Sequence, residues 1–115
     1  MTETQDEAGV SLPEPIQRFI GATNRGDTDA FVSAFTTDAS LNDWGREFHG
    51  REGVRRWDST DNIGKNSHFD LVDVTQGPHP DTYVVTLTVT GDGYNGTGPM
   101  EFTLRDGLIA SVRIS

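Results

Sequence analysis

The spacing of apolar residues over the first third of the chain predicts two short amphipathic helices. The face of the first is formed at i, i+3, i+4 and i+7 by Ile16, Phe19, Ile20 and Thr23. Gly26 follows, where a left-handed residue ends a helix, and Asp27 then stands at the N-cap position of the second. This second helix is predicted to end at residues 36–38, and its apolar face comprises Ala30, Phe31, Ala34 and Phe35.

A short strand and a third helix are predicted next. The strand begins at Ser40 in the segment SLNDWGREFHG, residues 40–50, and the helix covers about residues 51–61. Val54 and Trp57 mark the inner side of this helix. Its solvent-exposed side is marked by three arginines, Arg51, Arg55 and Arg56. Strands are poor in aspartate, so Asp43 beside Trp44 is either a turn residue facing water or a carboxylate set into a pocket.

From residue 66 the hydrophobic period changes to two. Alternating apolar and threonine-rich positions over residues 83–90 predict a strand with one covered face. Turn pairs of Asp-Gly and Asn-Gly type follow in GDGYNGTG, residues 91–98, and again at residues 106–107. A meander of four strands is therefore predicted over 67–76, 83–90, 99–105 and 108–115. The fold class is α+β, with helices on one side of a curved antiparallel sheet.

Three segments resemble a known superfamily, the nuclear-transport-factor-2-like proteins, and within it the SnoaL-like polyketide cyclases and the ketosteroid isomerases. The segments are IQRFIGATNRGDTDAFVSAFTTDASLND, FHGREGVRRW and FTLRDGLIASVRI. The likeness covers nearly all of residues 12–115. It implies a cone, also described as a cystatin-like roll: a curved sheet wrapped on three N-terminal helices around an internal hydrophobic cavity. It also implies a homodimer formed through the sheet.

The resemblance also implies candidate catalytic residues. In ketosteroid isomerases the aspartate that ends the first strand shuttles the substrate proton, and Asp43 occupies the matching place. Phe19 stands where those enzymes have a tyrosine, and it has no hydroxyl group. Pro99-Met100-Glu101 resembles the motif of their protonated acid, so Glu101 is the second candidate. If Phe102 faces the core, Glu101 faces the opposite way, and a register shift of one residue reverses this.

Aromatic residues are the candidates for ligand contact, each with a structural alternative. Proton abstraction next to a carbonyl needs a carboxylate in a dry pocket, and flat rings would line such a pocket. The alternatives are plain core packing for the tryptophans and an exposed loop for Tyr94. His49 is either a general acid or a turn residue. The candidate ligand-binding set is Phe19, Phe35, Trp44, Trp57 and Tyr94.

Composition narrows the classes of function. The chain has 115 residues, one domain by length, and a net charge of −9 that argues against nucleic acid and anionic membrane surfaces. It has no cysteine and three scattered histidines, so we expect neither a metal site nor a cofactor.

Residues 1–10 read as a disordered acidic tail before a domain over 11–115. Without a signal peptide or an apolar span, a cytoplasmic location is expected.

Two functional hypotheses follow. In the first, the domain binds a small hydrophobic, cyclic molecule in an apolar cavity, and Asp43 acts as the base of an isomerase- or cyclase-type proton transfer without a metal. In the second, the domain is non-catalytic and serves as a ligand-binding, dimerisation or protein-docking module that uses the threonine-rich face of its sheet. The sequence leaves open whether the protein is an enzyme.

Overall fold

A computed structural model describes residues 11–115, and the tail predicted over residues 1–10 lies outside the described residues. Its helices are α1 (Glu14–Arg25), α2 (Thr28–Ser33) and α3 (Gly50–Asp61), followed by a 3-10 turn (Ile63–Lys65). Its strands are β1 (Phe35–Asp43), β2 (Arg46–His49), β3 (His68–Gln76), β4 (Thr82–Thr90), β5 (Gly96–Arg105) and β6 (Leu108–Ile114). Within residues 11–115, no helix is long and apolar enough to span a membrane.

The three predicted helices are confirmed, with one correction to their limits. Gly26 caps α1 in the left-handed conformation with φ 70°, and the Asp27 carboxylate accepts a hydrogen bond from the Ala30 backbone N–H at 3.1 Å. The prediction that α2 continues to residues 36–38 is wrong, because α2 ends at Ser33 and β1 begins at Phe35. The β-branched pair Thr36-Thr37 fits a pleated strand better than a helix.

The sheet has six strands in the order β2-β1-β6-β5-β4-β3. The predicted meander is confirmed, since β3, β4, β5 and β6 pair in sequence and antiparallel. The expectation of a wholly antiparallel sheet is corrected by one pair, because β1 and β6 run parallel. Alternation within a strand reports which side is covered and carries no information on the direction of the neighbour.

The register of β5 determines which side chains face the helices. Met100 and Phe102 are buried, whereas Glu101 lies between them on the outer face, opposite Arg113 on β6. A bulge falls between Thr103 and Leu104, so it does not alter the alternation of residues 100–102. Glu101 therefore points away from the helices.

An aromatic cluster fills the space between the helices and the sheet. Phe19 is fully buried at its centre, 5.0 Å from the ring of Phe31, 5.0 Å from Phe102 and 5.5 Å from Phe69. Phe35 is also fully buried, with its ring 6.1 Å from that of Phe19. Aromatic pairs at such distances stabilise a core beyond the area that they bury.

Candidate functional site

A pocket of about 320 Å³ opens beside this cluster, and we call it the main pocket. Its floor consists of residues that are almost completely buried: Trp57, Phe69, Leu87, Val89 and Met100. Its rim is built by three segments: the β1–β2 turn, the stretch from the end of α3 through the 3-10 turn, and the loop between β4 and β5. The charged side chains of the main pocket, Asp43, Arg46, Asp61 and Lys65, lie on or directly beside these three segments.

The β1–β2 turn answers the question raised by the segment around Asp43. Asp43 and Arg46 are directly paired across the hairpin, and the two residues between them both have positive φ, 54° for Trp44 and 92° for Gly45. The Asn42 side-chain oxygen accepts the Gly45 backbone N–H at 2.9 Å. Positive φ is unusual for a residue as bulky as tryptophan. Asp43 is thus the last residue of the strand, and its carboxylate also borders the main pocket.

The Asp43 carboxylate is held by two donors on a single oxygen. Its Oδ2 accepts the indole N–H of Trp57 at 3.0 Å and the Arg46 guanidinium at 2.6 Å. The side chain is only 15% exposed. No described residue donates a hydrogen bond to Oδ1, so this oxygen is available to a ligand.

Arg46 joins Asp43 to a second carboxylate of the main pocket. The guanidinium also contacts Asp61 at 3.1 Å, and it lies 5.5 Å from the centre of the Phe48 ring. Its hydrogen bond to Asp61, and to a smaller extent its hydrogen bond to Asp43, raise the pKa of Arg46 above its usual range. Two carboxylates therefore share one positive charge on this wall.

A buried polar network supports the next wall from behind. Asn62 borders the main pocket although its side chain is almost fully buried, and its amide donates to Asp58 at 3.0 Å and to the Thr23 hydroxyl at 2.9 Å. Asp58 is completely buried and accepts a second hydrogen bond from Thr28 at 3.0 Å. Burial raises the pKa of Asp58, and the hydrogen bonds from Asn62 and Thr28 oppose that rise.

The loop between β4 and β5 forms the third side of the main pocket. The Asp92 backbone N–H donates to the Lys65 carbonyl at 2.8 Å, which fixes the loop on the 3-10 turn. The Asn95 side chain bonds both backbone groups of Gly91 and so closes the loop on itself. Tyr94 lines the main pocket from this loop with 59% of its surface exposed.

The structure brings together four of the predicted site residues and separates the others. The four at the main pocket are Asp43, Trp44, Trp57 and Tyr94. Phe19 and Phe35 lie in the core and do not border the main pocket. Glu101 is on the outer face, 4.0 Å from Arg113, and the His49 side chain is 73% exposed at the end of β2.

Sequence reasoning missed six polar residues of the main pocket: Arg46, Asp61, Asn62, Lys65, Ser67 and Ser115. Arg46 could have been found from the sequence. Trp44-Gly45 is a possible two-residue turn, and a hairpin with this turn places Arg46 directly opposite Asp43. Lys65 is the only lysine of the chain, but this fact does not predict where it lies in the fold. Nothing in the local pattern marked Asn62, whose contacts depend on the packing of α1 against α3.

Comparison with solved structures places this fold among known proteins. A Sinorhizobium meliloti protein assigned as a polyketide cyclase, SMa1630, is 27% identical, with 90% of this chain and 95% of that chain covered and a TM-score of 0.80. The Mycobacterium tuberculosis protein RV0760c, in complex with estradiol-17beta-hemisuccinate, is 16% identical over 86% and 88% of the two chains, with a TM-score of 0.75. A Delta 5-3-ketosteroid isomerase from Mycobacterium sp. is 16% identical over 86% and 87%, with a TM-score of 0.72.

The sequence comparisons identify the family. No curated protein shows significant sequence similarity to the chain. The family model for the SnoaL-like domain matches residues 16–112, which is most of the chain. The α+β, nuclear-transport-factor-2-like fold expected from the sequence is confirmed by the structural neighbours. The chain belongs to the SnoaL-like domain family.

Proposed function

We propose that the main pocket binds a small hydrophobic molecule containing a ring system. The observation that carries this proposal is the apolar floor, where Trp57, Phe69 and their neighbours border about 320 Å³ of open volume. Small-molecule sites usually combine such an apolar body with a few polar groups on the walls. Flat aromatic side chains offer a large contact area to a flat ligand.

The structural neighbours support this class of ligand. One of them binds estradiol-17beta-hemisuccinate, and another is a computationally designed 17-OHP binder, at 16% and 17% identity. At this identity the likeness concerns the fold alone. It shows that small hydrophobic ligands are accommodated by this architecture, which makes the same class the first to test here.

Filling the main pocket tests the proposal. Gly98 borders the main pocket on β5, directly opposite the buried Leu87, and nothing lies within 4 Å of the position that a Cβ would take there. The Cβ of Gly98→Leu therefore has room, and we expect the rest of the side chain to extend into the open volume. We expect binding of the neutral fluorescent probe N-phenyl-1-naphthylamine to weaken by about tenfold or more, a loss of about 1.4 kcal/mol. Fluorescence titration measures it.

Thr97→Leu is the matched control for this experiment. Thr97 is the preceding residue of β5, is exposed, and contacts Thr88 through its hydroxyl at 2.7 Å on the outer face. It adds the same side chain on the opposite side of the sheet, so probe affinity should not change. Equal affinity of Gly98→Leu and the wild-type protein would refute binding in the main pocket, as would an equal loss in the two variants.

A second candidate function is proton transfer, with Asp43 as the base. The observation that favours it is the position of the carboxylate: it is largely buried at the edge of an apolar floor, with Oδ1 open to a ligand. A base acts when the proton to be removed lies within hydrogen-bonding reach, and this carboxylate borders the volume that a ligand would fill. The reaction would be of isomerase or cyclase type, in which a proton next to a carbonyl moves.

An enolate formed by this reaction would need a donor or a positive charge near its oxygen. Phe19 has no hydroxyl and Glu101 faces the other way, so neither supplies it. Lys65 and Tyr94 could approach such an oxygen from the wall formed by the 3-10 turn and the β4–β5 loop, and Arg46 offers a positive charge on the side of Asp43. The non-catalytic alternative is favoured by the Asp43–Arg46 ion pair, because a proton transferred to Asp43 would remove the negative charge that Arg46 contacts.

The outer face of the sheet is proposed as a homodimer interface. On β4 it presents Val84, Thr86 and Thr88, all half-buried, between strands that add further threonines. A mixed apolar and polar surface of this kind is typical of protein interfaces. We expect sedimentation equilibrium to give twice the monomer mass for the wild-type protein and the monomer mass for Val84→Glu. A wild-type protein that is monomeric at every concentration would contradict the proposal.

A further inference from the structure

Among residues 11–115, Lys65 differs from the other charged side chains of the main pocket because it has no partner of opposite charge. Asp43, Arg46 and Asp61 neutralise one another in part. Among residues 11–115, no carboxylate lies within ion-pairing distance of the Lys65 ammonium, although the protein has twice as many acidic as basic residues, 18 against 9. The other unpaired cations of the described part of the chain lie outside the main pocket, whereas Lys65 borders it.

The position of Lys65 is fixed by the backbone on both sides. Its N–H donates to the Asn62 carbonyl at 2.9 Å, and its own carbonyl accepts the Asp92 N–H at 2.8 Å. Its aliphatic stem lies against the loop, because a Cβ added at Gly93 would stand 3.3 Å from both Cβ and Cγ of Lys65. Lys65 as a whole is exposed, its stem lies beside the loop, and no described residue forms a hydrogen bond or an ion pair with its charged end.

The acidic residues of the adjoining segments are engaged elsewhere. Asp92 accepts a hydrogen bond from the Asn66 side chain at 2.7 Å. Asp61 contacts Arg46 and accepts a hydrogen bond from Thr60 at 2.7 Å. Both carboxylates have donors of their own, and neither lies within ion-pairing distance of the Lys65 ammonium.

We propose that the main pocket selects hydrophobic ring molecules that carry one anionic group, such as a carboxylate or a sulfonate, and that Lys65 pairs with this group. The inference rests on the proposed function, because the apolar part of the ligand must occupy the floor. An ammonium on the rim and an apolar floor together match a molecule with one charged end. Charge-assisted hydrogen bonds are about twice as strong as neutral ones, so Lys65 would determine specificity.

Two fluorescent probes separate the charged contact from the apolar one. N-phenyl-1-naphthylamine is neutral, and 8-anilinonaphthalene-1-sulfonate has a closely similar ring system with a sulfonate. Lys65→Met keeps an aliphatic stem of similar length and removes the charge. We expect Lys65→Met to weaken the binding of the sulfonate probe by about five- to tenfold and to leave the affinity for the neutral probe unchanged. A loss of this size lies between that of an exposed ion pair and that of a buried charge-assisted hydrogen bond.

Arg56→Met is the matched control, because Arg56 is exposed, lies outside the main pocket and has no ion pair among the described residues. It removes the same net charge and should leave both affinities unchanged. Lys65→Arg, which keeps the charge, should restore most of the binding of the sulfonate probe. The effect of Lys65→Met should also diminish at high ionic strength, since salt screens exposed charges.

The possible outcomes distinguish the two levels of the proposal. If the neutral probe binds in the main pocket and Lys65→Met leaves the sulfonate probe unaffected, the anion preference is refuted while the proposed function stands. An equal loss for Lys65→Met and Arg56→Met would also refute it, because net charge alone would then explain the effect. If neither probe binds the wild-type protein, the proposed function itself fails and the inference falls with it.

Discussion

Asp43→Asn is expected to reduce proton exchange into a bound cyclic ketone by about 10²- to 10⁴-fold, the range that a positioned general base contributes. The amide has nearly the shape of the carboxylate but cannot accept the proton. Its oxygen can still accept the Trp57 indole N–H, and Arg46 keeps its contact with Asp61. The variant should therefore remain folded. Deuterium incorporation next to the carbonyl of a Δ5-3-ketosteroid probe, followed by mass spectrometry, measures the rate.

Glu101→Gln is the matched control for this variant. It removes the other carboxylate that the family resemblance suggested, and this residue lies on the outer face of the sheet. Its exchange rate should equal that of the wild-type protein. A wild-type rate in Asp43→Asn would exclude Asp43 as the base. An absence of exchange in the wild-type protein with every carbonyl probe that binds would favour the non-catalytic alternative.

Asn62→Leu is expected to destabilise the fold by roughly 3 kcal/mol at neutral pH, because it removes a donor from a buried carboxylate. Asn62 supplies one of the hydrogen bonds that hold down the pKa of Asp58, so its loss should raise that pKa further. A raised pKa means that the folded state binds the proton more tightly than the unfolded state does. The cost should therefore be largest near neutral pH and shrink as the pH falls toward about 3.9, the ordinary value for aspartate.

A double-mutant cycle with Asp58→Asn tests this explanation. The neutral amide at position 58 needs less stabilisation by donors, so Asn62→Leu should cost clearly less in the Asp58→Asn background. Urea denaturation of the four proteins at several pH values gives the required free energies of unfolding. A cost of Asn62→Leu that is independent of pH, or equal in both backgrounds, would show that the charge of Asp58 is not its cause.

The regular elements were predictable because each of them repeats a local pattern. The 3.6-residue period placed α1 and α3, and the period of two together with the Asp106-Gly107 turn placed the meander. The end of α2 was not predictable from the same evidence. Phe31 and Phe35 are four residues apart, as on a helix, yet both reach the same core because the chain turns into a strand between them.

The candidate site was predicted in part. Asp43 and Trp44 were found because aspartate is rare in strands and a charge beside a large ring is costly to bury. Trp57 was found because its helical spacing predicts an inward-facing aromatic side chain. Phe19 and Phe35 were assigned to the ligand because they are aromatic and apolar, but the same properties place them in the core. Lys65 and Asn62 reach the main pocket through the packing of the 3-10 turn against the β4–β5 loop and α1, which no local pattern encodes.

The most direct test of the central claim uses the two tryptophans of the chain, because both Trp44 and Trp57 border the main pocket. A ¹H–¹⁵N spectrum shows one indole N–H signal for each. We expect titration with N-phenyl-1-naphthylamine to shift both signals along one saturable curve, and the Trp57 signal to respond although its N–H is bonded to Asp43. Probe binding that leaves the Trp57 signal unmoved, or an absence of binding, would contradict the account.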